Sequence, residues 1–458
     1  MDMTDLPWSR AYRRLKDRWR AHHRRRQLRD ISRRLPQLFR GGAVDFSAIR
    51  EQLLRDLISY AERHSPYFAR LFSTTGVSAS RLNRFDRLPL LSKEIIRRCQ
   101  TDMVSTEIAS LDVYTMNTGG STGEPLEFLV STIAGTVDGL HQEHHFRNVM
   151  HYTDGDRIAA FDGSSVPQGE RDRGVYWIQN GGPDLPYGSM SYSSLYLDSN
   201  TVPSYVDHMI RARPAILRGY PSFLHEIALY LIDSGRQLPF APKGIQLTAE
   251  NPLDGQIADI ERVFRCPVYL QYGHSEVSVF AYTAAGSREY RCSPLYGLTE
   301  VLREDGTPVR EGETGEVVVT GFWNTAMPFI RYRTGDMAVF AGDENGVVRL
   351  ARVTGRTQDF IYGINGVKTS LTALIFGQHY RAFRNIRRWQ LEQWQSGSVL
   401  IRLVRGEEFS TQDEDEIRQK FLKIASVDAV FEFVDDIPLS KRGKFQFVIQ
   451  HIQPETVP

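Results

Sequence analysis

The sequence predicts an α/β protein: a large multilayer N-terminal α/β domain followed by a small C-terminal α+β domain. Three observations predict it. Between 157 and 330, short apolar segments alternate with helical ones, the βα alternation of a layered sheet. From Gly315 the pattern changes to consecutive strands. Around Arg352-Val353-Thr354-Gly355-Arg356 it changes again, to strands near 386–404 and 428–435 and a helix near 411–424. At 458 residues the chain exceeds one ordinary core, so a division is expected. The divisions predicted are 1–60, a basic helical extension; 61–355, the large domain; and 356–458, the small one.

In chain order, the first feature is a charge asymmetry. The formal net charge is +1, yet residues 9–34 carry 12 Lys/Arg against Asp17 and Asp30, so the remainder sums to −9. Trp8, Tyr12, Leu15 and Trp19 recur at helical spacing, one apolar stripe on a basic helix. Such a stripe packs on the protein body or lies on an anionic membrane surface. Nucleic acid is not an expected partner, because the rest of the chain is acidic and carries no nucleic-acid motif. No run approaches the roughly 18 apolar residues that span a bilayer, and no signal peptide opens the chain. Cys99, Cys266 and Cys292 are scattered and form no C-x-x-C pair, which argues against a zinc knuckle or disulfide framework. The expected compartment is the cytoplasm, with the basic helix over 8–34 as a route to peripheral contact at the inner membrane face.

Phe46 to Arg63 has helical spacing and Ser65-Pro66 ends it; Ser92 reads as a helix cap. Val113–Met116 reads as a strand, followed by Asn117-Thr118-Gly119-Gly120-Ser121-Thr122-Gly123-Glu124-Pro125 and a second strand over 126–130. Glycines allow close backbone approach to a ligand, and successive N–H groups with Ser/Thr hydroxyls make an anion-binding concavity. The Walker pattern is absent, because no Gly-Lys-Ser/Thr follows. A solvated Gly/Ser/Thr turn is the bland alternative. Residues 132–150 read as a long helix bearing His141, His144 and His145. A helix lining a ligand cleft explains them better than a metal site, since spacing places no carboxylate partner beside them.

Short strands are predicted at Arg157–Phe161, Ala215–Arg218, Gly244–Thr248 and Pro267–Gln271. The last runs into Gln271-Tyr272-Gly273-His274-Ser275-Glu276, which sets an aromatic, a flexible point, a hydroxyl and a carboxylate at one sheet edge. In open α/β sheets that edge binds ligands. Glu276 is a candidate for Mg²⁺, which prefers one or two carboxylates plus phosphate oxygens. Later strands are predicted at Glu316–Thr320, Pro328–Tyr332, Ala338–Ala341 and Val347–Leu350. Arg331-Tyr332-Arg333-Thr334-Gly335-Asp336 presents a carboxylate able to accept from ribose hydroxyls, or to pair with Arg333 at the surface. Ser440-Lys441-Arg442-Gly443-Lys444 precedes an expected strand, Phe445–Ile449; it reads as a cation at a loop tip or as a basic hairpin turn.

Taken together, these stretches resemble the adenylate-forming superfamily of acyl- and aryl-CoA ligases, nearest its phenylacetate–CoA ligase, coenzyme F390 synthetase and CapK-like branch. The resemblance covers roughly 90–450 and implies the fold of that family, with a small mobile C-terminal domain. It implies that Thr118, Gly119, Gly120, Ser121, Thr122 and Gly123 hold the ATP phosphates, and that Ala249, Glu250, Gln271, Tyr272 and Gly273 flank the adenine. Asp336 and Arg356 complete the nucleotide site. Ser275 would contact the acyl phosphate, Glu276 would bind Mg²⁺, and Lys444 would be the adenylation lysine. Gln358 stands at the interdomain hinge, where the family carries an acid. Tyr362-Gly363-Ile364-Asn365-Gly366 departs from the loop that approaches coenzyme A.

The implied chemistry is ATP-dependent activation of a carboxylic acid, aryl or small and polar, as an acyl-adenylate with release of pyrophosphate, then transfer to coenzyme A. His141, His144, Tyr220 and His274 are the expected pocket residues, with the Arg218–Ser222 segment and residues near Phe161 and Trp177. Transfer to an amine in polysaccharide or natural-product assembly is the alternative that the altered loop favours. A non-catalytic nucleotide-binding scaffold is the third reading, and the joint presence of Glu276, Asp336, Arg356 and Lys444 argues against it.

Overall fold

The computed structural model describes residues 28–39, 44–117, 126–179, 181–356, 360–364, 366, 368–370, 374, 381–439 and 445–452. Its first part is helical: α1 over 28–39, α2 (Ser47–His64), α3 (Pro66–Thr75) and α4 (Lys93–Met103). Local chemistry sets the ends. Pro66 opens α3, where its missing N–H costs nothing, and Gly76 closes it at φ 70°. The Ser92 side chain caps α4 by accepting from the Ile95 N–H. Residues 28–60 do not stand apart as an extension: Ile31, Leu35, Leu38, Leu54 and Ile58 are buried in the same core as the main sheet. The stripe Trp8 to Trp19 lies outside the described residues.

β1 (Val113–Asn117) and β2 (Glu127–Ser131) pair antiparallel, so residues 118–125 connect two paired strands. Next come α5 (Thr132–Asn148), β3 (Ile158–Asp162), the one-turn α6 (Gln168–Arg171), β4 (Trp177–Gln179) and β5 (Met190–Ser193). They are followed by α7 (Val202–Ala212), β6 (Ile216–Gly219), α8 (Pro221–Asp233), β7 (Gly244–Thr248), α9 (Asp254–Phe264) and β8 (Val268–Gly273). Strands β5, β3, β6, β7 and β8 are parallel neighbours in that order. Their near-continuous apolar runs are what a strand covered on both faces requires. β8 loses its burial at Gln271, Tyr272 and Gly273, where it opens towards the site.

The sheet continues antiparallel through β9 (Phe280–Tyr282), β10 (Tyr290–Cys292), β11 (Gly297–Leu302), β12 (Thr314–Gly321), β13 (Tyr332–Glu344) and β14 (Val347–Arg356). The order across all twelve strands is β11-β12-β13-β14-β10-β9-β8-β7-β6-β3-β5-β4. One boundary differs from expectation. Pro328–Tyr332 is not a strand; β13 starts at Tyr332 and takes in Ala338–Ala341. Arg331 has φ 50°, and that left-handed residue interrupts extended backbone just before Tyr332.

The C-terminal unit has its own core around Leu391, Val399, Ile401, Phe421 and Val427. After the short pair β15 (Phe360–Tyr362) and β16 (Lys368–Ser370), β17 (Ile386–Gln393), β18 (Ser398–Arg405), β19 (Asp428–Phe433) and β20 (Val448–Gln450) form a sheet in the order β19-β18-β17-β20. The remaining helix, α10 (Thr411–Ala425), starts with a capping box between Ser410 and Asp413. The last strand is shorter than the expected Phe445–Ile449, because Phe445 is engaged elsewhere. Among the described residues no helix is long and apolar enough to cross a membrane.

Candidate active site

The site forms where the parallel strands end and the antiparallel part of the sheet folds back over them. Two pairs of side chains stitch β8 to β13. The Tyr272 hydroxyl donates to Asp336 Oδ2 at 2.8 Å, and the Tyr332 hydroxyl donates to Glu276 Oε1 at 2.7 Å. Burial raises the Tyr272 phenol well above its ordinary value, and the Asp336 charge adds to this, so the hydroxyl stays a donor. Asp336 does not pair with Arg333, whose guanidinium is taken by Glu316.

Glu276 is buried, and burial opposes its ionisation. The neighbouring His274, the Tyr332 hydroxyl and the glutamate's own backbone N–H outweigh that and hold the carboxyl down at about 2. His274 Nδ1 is 3.1 Å from Glu276 Oε2, within ion-pair reach but out of line for a hydrogen bond. His274 is thus enclosed beside the carboxylate and not solvated at a strand end. A single firmly ionised carboxylate fits Mg²⁺ held mainly by phosphate oxygens and water. Among the described residues no group of three or more His, Cys, Asp or Glu could hold a metal by itself. Ser275 is half-buried between them.

Thr248 and Gln271 face each other across β7 and β8, with the Thr248 hydroxyl donating to Gln271 Oε1 at 2.5 Å. After Thr248 the chain turns sharply, with Ala249 at φ 69°. Val277, after Glu276, has φ 51°, which is strained for a β-branched residue. With Arg331, three non-glycine left-handed residues flank Glu250, Glu276 and Tyr332. Glu250 then reaches two separate parts of the molecule: Oε2 accepts from the Ser222 N–H at 3.0 Å and Oε1 from the Phe445 N–H at 2.9 Å. The second bond ties the residue next to Lys444 to the end of β7. Lys444 itself, residues Thr118–Pro125, Gln358 and the Arg356 side chain lie outside the described residues; backbone pairing sets Arg356 opposite Asp336.

The histidines of α5 separate by face. His141 is fully buried, with Nδ1 at 2.8 Å from its own helix's Val137 carbonyl and Nε2 at 2.9 Å from Ser293 Oγ. Phe39, Phe280 and Tyr296 enclose it. Burial pushes it down to about 3, so it is neutral. This makes His141 a packing residue with both nitrogens used, and not part of an open pocket wall. His144 lies against Asn148 on its own helix. Phe161 stacks on Tyr192, and Trp177 stacks on His208; both are packed aromatic pairs rather than an open wall.

Between α5 and the sheet lies a different set, most of which the sequence did not single out. Gln246 Oε1 accepts from Gln142 Nε2 at 3.0 Å and from Arg218 Nε at 3.2 Å, while Gln246 Nε2 donates to His145 Nδ1 at 2.9 Å. Asp138 accepts from the hydroxyls of Tyr187 and Tyr296, at 2.7 and 2.8 Å. Tyr220, the residue before α8, is half-buried close to Asp162, and burial and that charge raise its phenol. On α5 the sequence singled out His145 but not Asp138 or Gln142, and the strand partners come from registry that the sequence does not display.

With this geometry in hand, comparison with known proteins gives a consistent result. Residues 367–451 match the family described as the CapK C-terminal domain. Protein CapK of Staphylococcus aureus is 25% identical over 431 residues, 89% of this chain and 90% of that protein. Among solved structures, 2-hydroxyisobutyryl-CoA ligase in its postadenylation state, in complex with R3-HIB-AMP, superimposes with a TM-score of 0.68 at 18% identity, covering 88% of each chain. The GH3.15 acyl acid amido synthetase does so with a TM-score of 0.54 at 15% identity, over 86% of this chain and 87% of that one. The chain is thus similar to CapK over most of its length, carries a match to the CapK C-terminal domain, and has the fold of adenylate-forming ligases.

Proposed function

We propose that the protein activates a carboxylic acid with ATP as an acyl-adenylate, releasing pyrophosphate, and passes the acyl group to coenzyme A. The observation that carries this reading is the convergence of Tyr272–Asp336, Glu276–Tyr332 and Glu250–Phe445 at one sheet edge. That edge takes a nucleotide: Tyr272 offers a ring to the base, Asp336 a carboxylate to the ribose hydroxyls, and the loop Thr118–Gly123 backbone donors to the phosphates. A carboxylate oxygen attacks the α-phosphorus, the bond to the bridging oxygen breaks, and pyrophosphate leaves. Lys444 neutralises charge developing on the phosphates, which is electrostatic stabilisation. Mg²⁺, when bound at Glu276, supplies further charge neutralisation there. In the second step a thiolate attacks the acyl carbonyl and AMP leaves, and the C-terminal unit withdraws Lys444 by rotation about Gln358. An amine acceptor is the second reading, favoured by the altered Tyr362–Gly366 segment and the likeness to an amido synthetase fold.

The test is Mg²⁺-dependent ATP–pyrophosphate exchange over a panel of aryl, fatty and small polar acids, without acceptor. Exchange with one acid, and its loss by about 100-fold or more in Lys444→Ala, is the expected result. ATP binding with no exchange for any acid overturns the reading. CoA consumption then separates thioester from amide formation.

A further inference from the structure

Among the described residues, Arg218 is a charged side chain in the sheet with no ion-pair partner. It is the third residue of β6, beside Ala160 on β3 and Gln246 on β7, and it is surrounded by protein while keeping part of its side chain open. Burial presses its pKa below the ordinary arginine value, although a guanidinium stays charged in a protein. Its Nε donates to Gln246 Oε1, and its guanidinium lies 5.5 Å from the centre of the Tyr187 ring. The two terminal nitrogens have no hydrogen-bond or ion-pair partner among the described residues.

The nearby acids do not fill that role. Asp138 spends its two oxygens on Tyr187 and Tyr296, and Asp162 turns Oδ1 to the N–H and hydroxyl of Ser164. Neither makes an ion pair with Arg218, so they ease its charge from a distance and leave its donors open. Gln246 meanwhile holds Arg218 in place, since its own amide is fixed by Gln142 and His145. Its terminal nitrogens are not sealed from solvent, and an anionic ligand group that meets them exchanges water for a charge-assisted hydrogen bond.

The location specifies the ligand. Gln246 is two residues before Thr248 on β7, about 7 Å along the strand from the adenine side of the nucleotide edge. Across from it, α5 presents Gly135, Asp138, Gly139 and Gln142 on one face. The two glycines let Tyr114 and Pro186 approach closely: a Cβ would lie 2.8 Å from the Tyr114 hydroxyl at Gly135 and 3.3 Å from Pro186 Cγ at Gly139. Tyr114 is on β1, the strand that leads into the phosphate loop. An acid seated between the nucleotide edge and Arg218 would have its reacting end towards the phosphates, and that space is the acyl slot of the proposal. We infer that Arg218 binds a second anionic group on the acid, so that the substrate is a dicarboxylic acid activated at one end and held by the guanidinium at the other. This rests on the proposed adenylation, whose acyl site it specifies.

The test uses the full-length protein in ATP–pyrophosphate exchange with matched pairs, linear and aromatic dicarboxylic acids and their half-amides. A diacid should exchange with a kcat/KM about 100-fold or more above its half-amide, because only the charged end forms a charge-assisted pair with the guanidinium. Arg218→Met should collapse that ratio to within about tenfold, and Arg218→Lys should restore part of it. Equal exchange by the wild type with both members of every pair overturns the inference, as does an Arg218→Met loss that falls equally on both. If Arg218→Met does not fold, the wild-type ratio decides alone. Calorimetric titration with acyl-sulfamoyl adenosines, one of a diacid and one of its half-amide, reads the slot without catalysis. Arg218-dependent preference for the diacid form with no exchange from any acid sinks the adenylation reading and keeps the slot. Exchange with neutral acids and no Arg218-dependent preference sinks the slot and keeps adenylation.

Discussion

At the scale of single residues, two carboxylates 60 residues apart in the chain, Glu276 and Asp336, do different work because their partners differ. Asp336 is half-buried against a phenol, and Glu276 is buried between a histidine and a phenol. The folded value of Glu276, about 2, lies below its ordinary 4.5. Its stabilising contribution is therefore complete above pH 4.5 and is lost as pH falls through about 2. Glu276→Gln should flatten the acid limb of the melting-temperature profile over that window, at a neutral-pH cost of a few kcal/mol. An acid limb as steep as wild type would contradict the ionised state. Asp336→Ala should raise the KM for ATP by about tenfold or more with a smaller effect on the KM for the acid, since only the nucleotide end loses a bond. Both motifs were legible as sequence, because each is a short contiguous run. Their phenolic partners were not: Tyr332 stood inside the aspartate motif, yet nothing local shows that its hydroxyl serves Glu276.

At the scale of elements, α5 shows what periodicity alone leaves open. The helix was expected over 132–150 and is Thr132–Asn148, so its existence followed from its pattern. Three histidines within five residues, however, fall on different sides. His141 is locked between the Val137 carbonyl and the Ser293 hydroxyl, and His145 is fixed by Gln246. Both are pushed by burial from 6.5 down to about 3, so each is neutral when folded and takes up a proton more readily when unfolded. Stability should be flat above pH 6.5 and fall as pH drops towards 3. His141→Ala should cost about 2–4 kcal/mol, from the cavity and the stranded Ser293 hydroxyl. It should leave the ranking of acids in exchange unchanged. A changed ranking would return His141 to the pocket.

At the scale of the whole molecule, the C-terminal unit is joined to the large domain through α8 and through Glu250. Arg388 lies 2.7 Å from Glu226 and also pairs with Asp436; Arg387 pairs with Asp233; and Glu250 holds the Phe445 N–H. The contacts through Glu226, Asp233 and Glu250 cross from the large domain to the C-terminal unit. Glu250→Ala should slow adenylate formation by about tenfold and leave transfer from a preformed acyl-adenylate nearly intact, measured as separate half-reactions. Equal loss in both steps would mean that Glu250 serves the site in some other way. Combining Glu226→Arg with Arg388→Glu should recover more than either alone, a coupling of about 1 kcal/mol for a partly buried pair.

The sequence by itself determined the order of elements, the strand-to-helix alternation, the change to antiparallel strands and the motifs at β8 and β13. These rest on local periodicity and on contiguous runs, which a chain displays without folding. Tertiary structure alone decided that Arg218, Gln246, Gln142 and His145 form one network, that His141 is packing, and that Glu250 reaches Phe445 across 195 residues. Those facts depend on strand registry and on the face each helix turns inward, and neither is fixed until burial of the whole core selects one arrangement.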